Sequence, residues 1–177
     1  RDSGTAVPGG TYDPGADADV DAGSIATALN AGSDVTLLAS GRIHIDAPIT
    51  AKANNAATTA ENSPTLKFDA GTDVLIRDDI DVRANVVVEA DRHVYADYSK
   101  TITTYGQDVV FNARADDRTE GRIWVNSDIT TQGGDILMYG GSAFGSNAYA
   151  TDNGSDHGLE IASSTLDAGG GDIWAAG

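Results

Sequence analysis

The chain has 177 residues, room for one domain or for one stretch of a longer repetitive protein. Its 27 acidic against 11 basic residues leave a net charge of −16, which argues against nucleic acid or an anionic membrane as partner, because little could neutralise rows of phosphates. No apolar run approaches the ~20 residues a membrane-spanning helix needs, so no membrane insertion is expected, and the lack of Cys excludes disulfide and thiolate chemistry.

Taken in chain order, residues 1–23 read as an irregular acidic leader at one end of the molecule. Four of its first fifteen residues are Gly and two are Pro, and no pair of apolar residues alternates there. Within it, Asp17, Asp19 and Asp21 place carboxylates at alternate positions, like the start of a calcium loop. The glycine at the sixth position and the glutamate at the twelfth are missing, and a solvated acidic segment explains the run equally well. These three aspartates are the metal candidates, and calcium is the one cofactor the sequence leaves open. Ser24–Asn30 then reads as a short helical turn, with Ser24 as its cap and Gly32 as its stop.

From Val35 onward, alternating apolar pairs recur in a fixed order of three kinds. The first kind is Val35/Leu37, Leu66/Phe68, Val86/Val88, Val109/Phe111 and Ile136/Met138, with Ile173 opening a sixth round. The second is Ile43/Ile45, Val74/Ile76, Val94, Ile123/Val125 and Leu159/Ile161. The third is Ile49/Ala51, Ile80/Val82, Ile102/Thr104, Ile129/Thr131 and Leu166/Ala168. Each pair has the period of two that marks a short strand with one face inward. The shortest round, Leu66 to Val86, takes 20 residues, enough for three strands and three turns. Excess length is confined to residues near 52–65, 112–121 and 139–158, so the pattern is a near-constant rung with insertions, as in a solenoid.

The expected fold is therefore all-β, a parallel β-helix over residues 24–177 with three short strands per coil and about five to six coils. At ~4.8 Å per coil the rod would be about 25–30 Å long. Gly-x-Asp precedes an apolar residue at Gly32–Val35, Gly71–Val74, Gly106–Val109, Gly133–Ile136 and Gly170–Ile173. Glycine supplies the left-handed angles of a tight corner there, and aspartate can hydrogen-bond its own turn. Leu37, Ile45, Phe68, Ile76, Val88, Phe111, Val125, Met138 and Ile161 should all be nearly inaccessible in the interior.

SIATALNAGSDVTL (24–37), GRIHIDAPIT (41–50) and TLKFDAGTDVLIRDDIDV (65–82) resemble the large secreted exoproteins of the filamentous haemagglutinin type, which use two-partner secretion in Gram-negative bacteria. The rounds GRIWVNSDITTQGGDILMYGG (121–141) and LEIASSTLDAGGGDIWAAG (159–177) look similar. The resemblance implies a right-handed β-helical shaft that is secreted through an outer-membrane transporter partner and displayed at the bacterial cell surface. Its ligand would lie on a host or neighbouring cell. The Asn-Pro-Asn motifs of that family's secretion domain are absent, so shaft rather than secretion signal is expected, and the start at Arg1 fits a piece of a longer chain.

A polysaccharide-active enzyme is the competing class, since β-helices also host lyases and hydrolases. The outward positions of the first column (Thr36, Lys67, Val87, Val110, Leu137, Trp174) hold no carboxylate. In the third column Asp81 and Asp167 stand coils apart, too far for paired acid–base work. No enzyme is expected. A self-associating extracellular fibre module, joined end to end or laterally, is the other alternative. The outward positions of two columns are oddly apolar, and Leu75, Trp124, Val110, Leu137 and Trp174 form the candidate contact face. The insertion at 139–158, with Tyr139, Phe144 and Tyr149, is expected to fold back over this stripe and bury Trp124 or Leu137.

Overall fold

In the computed structural model, residues 10–13, 20–52, 63–113, 121–141 and 158–176 are described. They form a parallel β-helix. Its strands are β1 (Gly10–Tyr12), β2 (Val35–Ala39), β3 (Ile43–Ile45), β4 (Ile49–Ala51), β5 (Thr65–Ala70), β6 (Asp73–Ile76), β7 (Ile80–Val82), β8 (Asn85–Ala90) and β9 (His93–Ala96). They continue with β10 (Thr101–Thr104), β11 (Val109–Ala113), β12 (Arg122–Val125), β13 (Asp128–Thr130), β14 (Ile136–Gly140), β15 (Leu159–Ile161), β16 (Leu166–Asp167) and β17 (Ile173–Ala175). The helix α1 (Ala22–Asn30) precedes β2.

Every third strand stacks on its equivalent. The first sheet runs β1-β2-β5-β8-β11-β14-β17, the second β3-β6-β9-β12-β15 and the third β4-β7-β10-β13-β16. All pairings are parallel and follow the three columns of apolar pairs, as in Leu37↔Phe68, Phe68↔Val88, Val88↔Phe111 and Phe111↔Met138. Inner rungs, down to the three-residue β7 and β13, are paired above and below, and like side chains stack along the interior. Phe68, Ile76, Val88, Phe111, Val125 and Met138 are sealed, and Leu37 and Ile45 are buried.

Ile161 departs from this expectation, with 41% of its surface exposed, and Ile173, which opens the sixth round, is 49% exposed. Both point inward but belong to β15 and β17, the outermost strands of their sheets, so only one side of each is covered by a neighbouring coil. Stacking buries a residue only when it comes from both sides.

The opposite end is covered. α1 packs Ile25, Ala28 and Leu29 against the core beside β4. β1 adds a strand to the edge of β2, with Gly10↔Val35 and Tyr12↔Leu37 in register. The stretch expected to be irregular thus contributes a strand and the start of a helix.

The corners use their glycines and aspartates in two ways. Gly32, Gly106, Gly133 and Gly170 all adopt positive φ, between 79° and 123°, the left-handed region that favours glycine. Gly71 does not: a Cβ there would collide with the Ser40 carbonyl of the preceding coil, so close approach and not backbone angle selects it. Three of the aspartates act across coils rather than within their own turn. Asp34 Oδ1 accepts the Thr65 N–H at 2.8 Å, Asp108 Oδ1 the Asp135 N–H at 2.8 Å and Asp135 Oδ1 the Asp172 N–H at 2.8 Å. Each carboxylate caps a backbone donor that the shallow corner leaves unpaired.

Two buried threonines complete the lining. Thr104 and Thr131 point inward with no exposed surface, and their hydroxyls donate to the Gln107 and Gly134 carbonyls of the following corners.

Candidate functional site

The candidate contact residues divide between two faces. Val110, Leu137 and Trp174 stand in one rank on the outside of the first sheet, with Leu137↔Val110 and Leu137↔Trp174 in register. Leu75 and Trp124 stand on the second sheet, each beside Tyr95 of β9. The single apolar stripe expected from the sequence is therefore two shorter ones. All five residues are half-buried. The residues of the 139–158 insertion from 142 to 157 lie outside the described set, as do the insertion residues 53–62 and 114–120.

On the first sheet the neighbouring outward rank turns from charged to aromatic along the rod. Lys67 Nζ lies 2.7 Å from Glu89 and 3.1 Å from Asp69. Burial works to lower the Lys67 pKa, but hydrogen bonds to Glu89 and Asp69 outweigh it and raise the pKa above the usual lysine value. Asn112 follows Glu89 in register and is only 6% exposed although it points outward. Tyr139 comes next and meets Trp174 edge to face at 6.4 Å. Burial, helped by the Glu89 charge, pushes the Tyr139 hydroxyl above its ordinary pKa.

The second sheet carries an ionic and aromatic ladder. Asp73, 3% exposed, is held between arginines from the coils on either side. Arg92 grips both its oxygens, Nε to Oδ1 at 2.8 Å and Nη2 to Oδ2 at 2.6 Å, and Arg42 Nε adds a third bond at 2.7 Å. Burial alone would raise the Asp73 pKa; the two guanidinium groups overcome it and hold the carboxyl below its ordinary value. Further along, Tyr95 meets Trp124 edge to face at 6.0 Å, Arg122 lies over the Trp124 ring at 5.0 Å, and Arg122 also pairs with Glu160. The Trp124 indole N–H is buried and has no hydrogen-bond acceptor among the described residues.

The third sheet differs in kind. Its two central outward ranks hold Pro48, Asp79, Thr101, Asp128 and Thr165 in one, and Thr50, Asp81, Thr103, Thr130 and Asp167 in the other. Asp81 and Asp167 are separated by Thr103 and Thr130 in that register, as the sequence predicted.

Asp17 and Asp19 lie outside the described residues. Asp21 is the N-cap of α1: its carboxylate accepts the Gly23 and Ser24 N–H groups at 3.2 and 2.8 Å, and the Ser24 hydroxyl at 2.7 Å. It is engaged in capping, and Ser24, expected to be the cap, is bonded to it from inside the first turn. Among the described residues no group of three or more His, Asp or Glu side chains is arranged to hold a metal ion, and no helix is long and apolar enough to cross a membrane.

The Arg42–Asp73–Arg92 clamp and the cross-coil aspartates escaped sequence reasoning because their partners lie 19 to 37 residues apart. The usable signal was the column itself: once Ile43, Val74 and Val94 are aligned, Arg42, Asp73 and His93 fall into one rank. Comparison with protein-family models, with curated proteins and with solved structures gives no match for this chain.

Proposed function

We propose that the chain is a structural and adhesive shaft segment of a large secreted bacterial surface exoprotein of the filamentous haemagglutinin type. The observation that carries the reading is the unbroken register of three parallel sheets, in which extra chain length enters only between strands. Such a frame extends by adding coils and can present side chains on its outer faces without altering its core. Export would pass through an outer-membrane transporter, and the partner would be a ligand on a host or neighbouring cell. The half-buried aromatic and arginine side chains of the first two faces are the residue types that anchor contacts between macromolecules.

The test sets adhesion against catalysis. Beads coated with the chain should be retained on cell monolayers above uncoated beads, and the chain should release no reducing or unsaturated ends from a panel of acidic polysaccharides. Release of such ends without retention would replace the shaft reading by the enzyme one.

A further inference from the structure

We propose that the outer face of the third sheet is an ice-binding surface, a lattice of short, rigid side chains that orders water in ranks. Nine of the ten side chains placed at its central outward positions by the register are Thr or Asp, the exception being Pro48 at the end of one rank. The same ranks of the first sheet carry Lys67, Glu89, Leu137, Tyr139 and Trp174, and those of the second Arg122, Tyr95 and Trp124. General abundance of Thr and Asp cannot explain a difference between faces of one rod.

The cleanest part spans β10, β13 and β16, where Thr101 and Thr103, Asp128 and Thr130, and Thr165 and Asp167 make a grid of two columns and three rows. Its rows repeat at the ~4.8 Å strand spacing, and its columns stand about 6.6 Å apart, two residues along a strand. Ice is likewise a repeating array of oxygen atoms with spacings of this order. Threonine suits the task because its branched side chain is stiff about χ1, which holds methyl and hydroxyl in fixed rows and removes most of the ordering cost. Lysine or arginine would spread its donors over many positions.

The aspartates do not make the face a loose field of charge. Asp128 Oδ1 accepts the Thr165 N–H at 2.7 Å, and Asp79 Oδ1 accepts the Thr101 N–H at 2.8 Å, so both tie successive rows together. Asp167 Oδ1 accepts the Gly169 N–H at 2.9 Å. Beside the grid, Tyr105 donates its hydroxyl to Asp81 at 2.8 Å, Lys52 pairs with the same carboxylate and Arg83 lies over the Tyr105 ring at 5.0 Å, so the larger side chains of this face are tied together at its edge.

The test uses the whole chain in thermal hysteresis and ice-recrystallisation assays, with Thr130→Tyr at the centre of the grid and Thr36→Tyr on the first sheet as control. The wild type and T36Y should slow recrystallisation and show a hysteresis gap, and T130Y should lose most of both while keeping the parent far-UV circular dichroism. Should T130Y fail to fold, Thr165→Lys, at an exposed position, should show the same loss. The proposal is overturned if the wild type is no more active than an unrelated acidic protein, or if the folded grid variants keep full activity. Capture of the wild type by powdered crystalline polysaccharide, with no effect on ice, would overturn it as well.

Discussion

Asp73 is the residue at which burial and charge compete most directly. Its carboxylate is almost inaccessible, yet three hydrogen bonds from Arg42 and Arg92 keep it ionised and its pKa depressed. Because the folded pKa lies below the unfolded one, the clamp stabilises the fold fully above the unfolded value of ~3.9. That contribution is lost as pH falls through the folded pKa, so urea midpoints should drop on acidification through this window. Asp73→Asn should flatten that part of the profile and cost about 2–3 kcal/mol at neutral pH, the scale of hydrogen bonds to charged groups. An acid limb identical in the parent and the variant would show that Asp73 does not contribute to it.

Phe111 tests the interior at the same scale. It has no exposed surface and lies between Val88 and Met138 in its rank. Truncation to Ala leaves a cavity that two stacked coils cannot close, at a cost of about 3–5 kcal/mol. The measurement is the urea midpoint of Phe111→Ala, and an unchanged midpoint would mean that the rank is misassigned.

At the scale of elements, α1 depends on its ends. Asp21 caps two N–H groups at the first turn. At the last turn, Gly32 N–H bonds the Leu29 carbonyl at 2.9 Å and Ser33 N–H the Ala28 carbonyl at 3.0 Å, the paired bonds of a Schellman stop. Asp21→Ala should cost about 0.5–2 kcal/mol, read as a lower thermal midpoint. Loss of amide protection should follow in 22–30 ahead of the central strands, since α1 rests on β4 from one side.

The sequence made the strands legible because period two recurs at near-constant spacing, so Leu66/Phe68 and Val109/Phe111 identify one another. The stop of α1 at Gly32 was legible from glycine chemistry, and the corner glycines from their repeated Gly-x-Asp. The cap was misplaced by three residues because Asp21 and Ser24 are both good N-caps, and only the fold decides which one meets free N–H groups. The role of the corner aspartates was misread because an aspartate's acceptor range covers both its own turn and the coil stacked above it. Ile161 was misread because burial in a solenoid depends on the neighbouring coil, which a single strand's pattern does not encode. The apolar contact face divided in two because outward positions of two columns look alike in sequence but belong to different sheets.

For the whole molecule, the central claim is that the three columns advance together, one coil per step. The lack of Cys makes pairs of spin labels on introduced cysteines unambiguous. Thr50 and Asp167 are four register steps apart on the third sheet, and His44 and Glu160 are four steps apart on the second. Electron–electron dipolar distances should therefore centre on about 19 Å between backbones for both pairs, four strand spacings each, apart from the reach of the labels. Two narrow distributions that coincide are the predicted result; distributions centred far beyond that length, or differing between the two sheets by a coil or more, would contradict the β-helix.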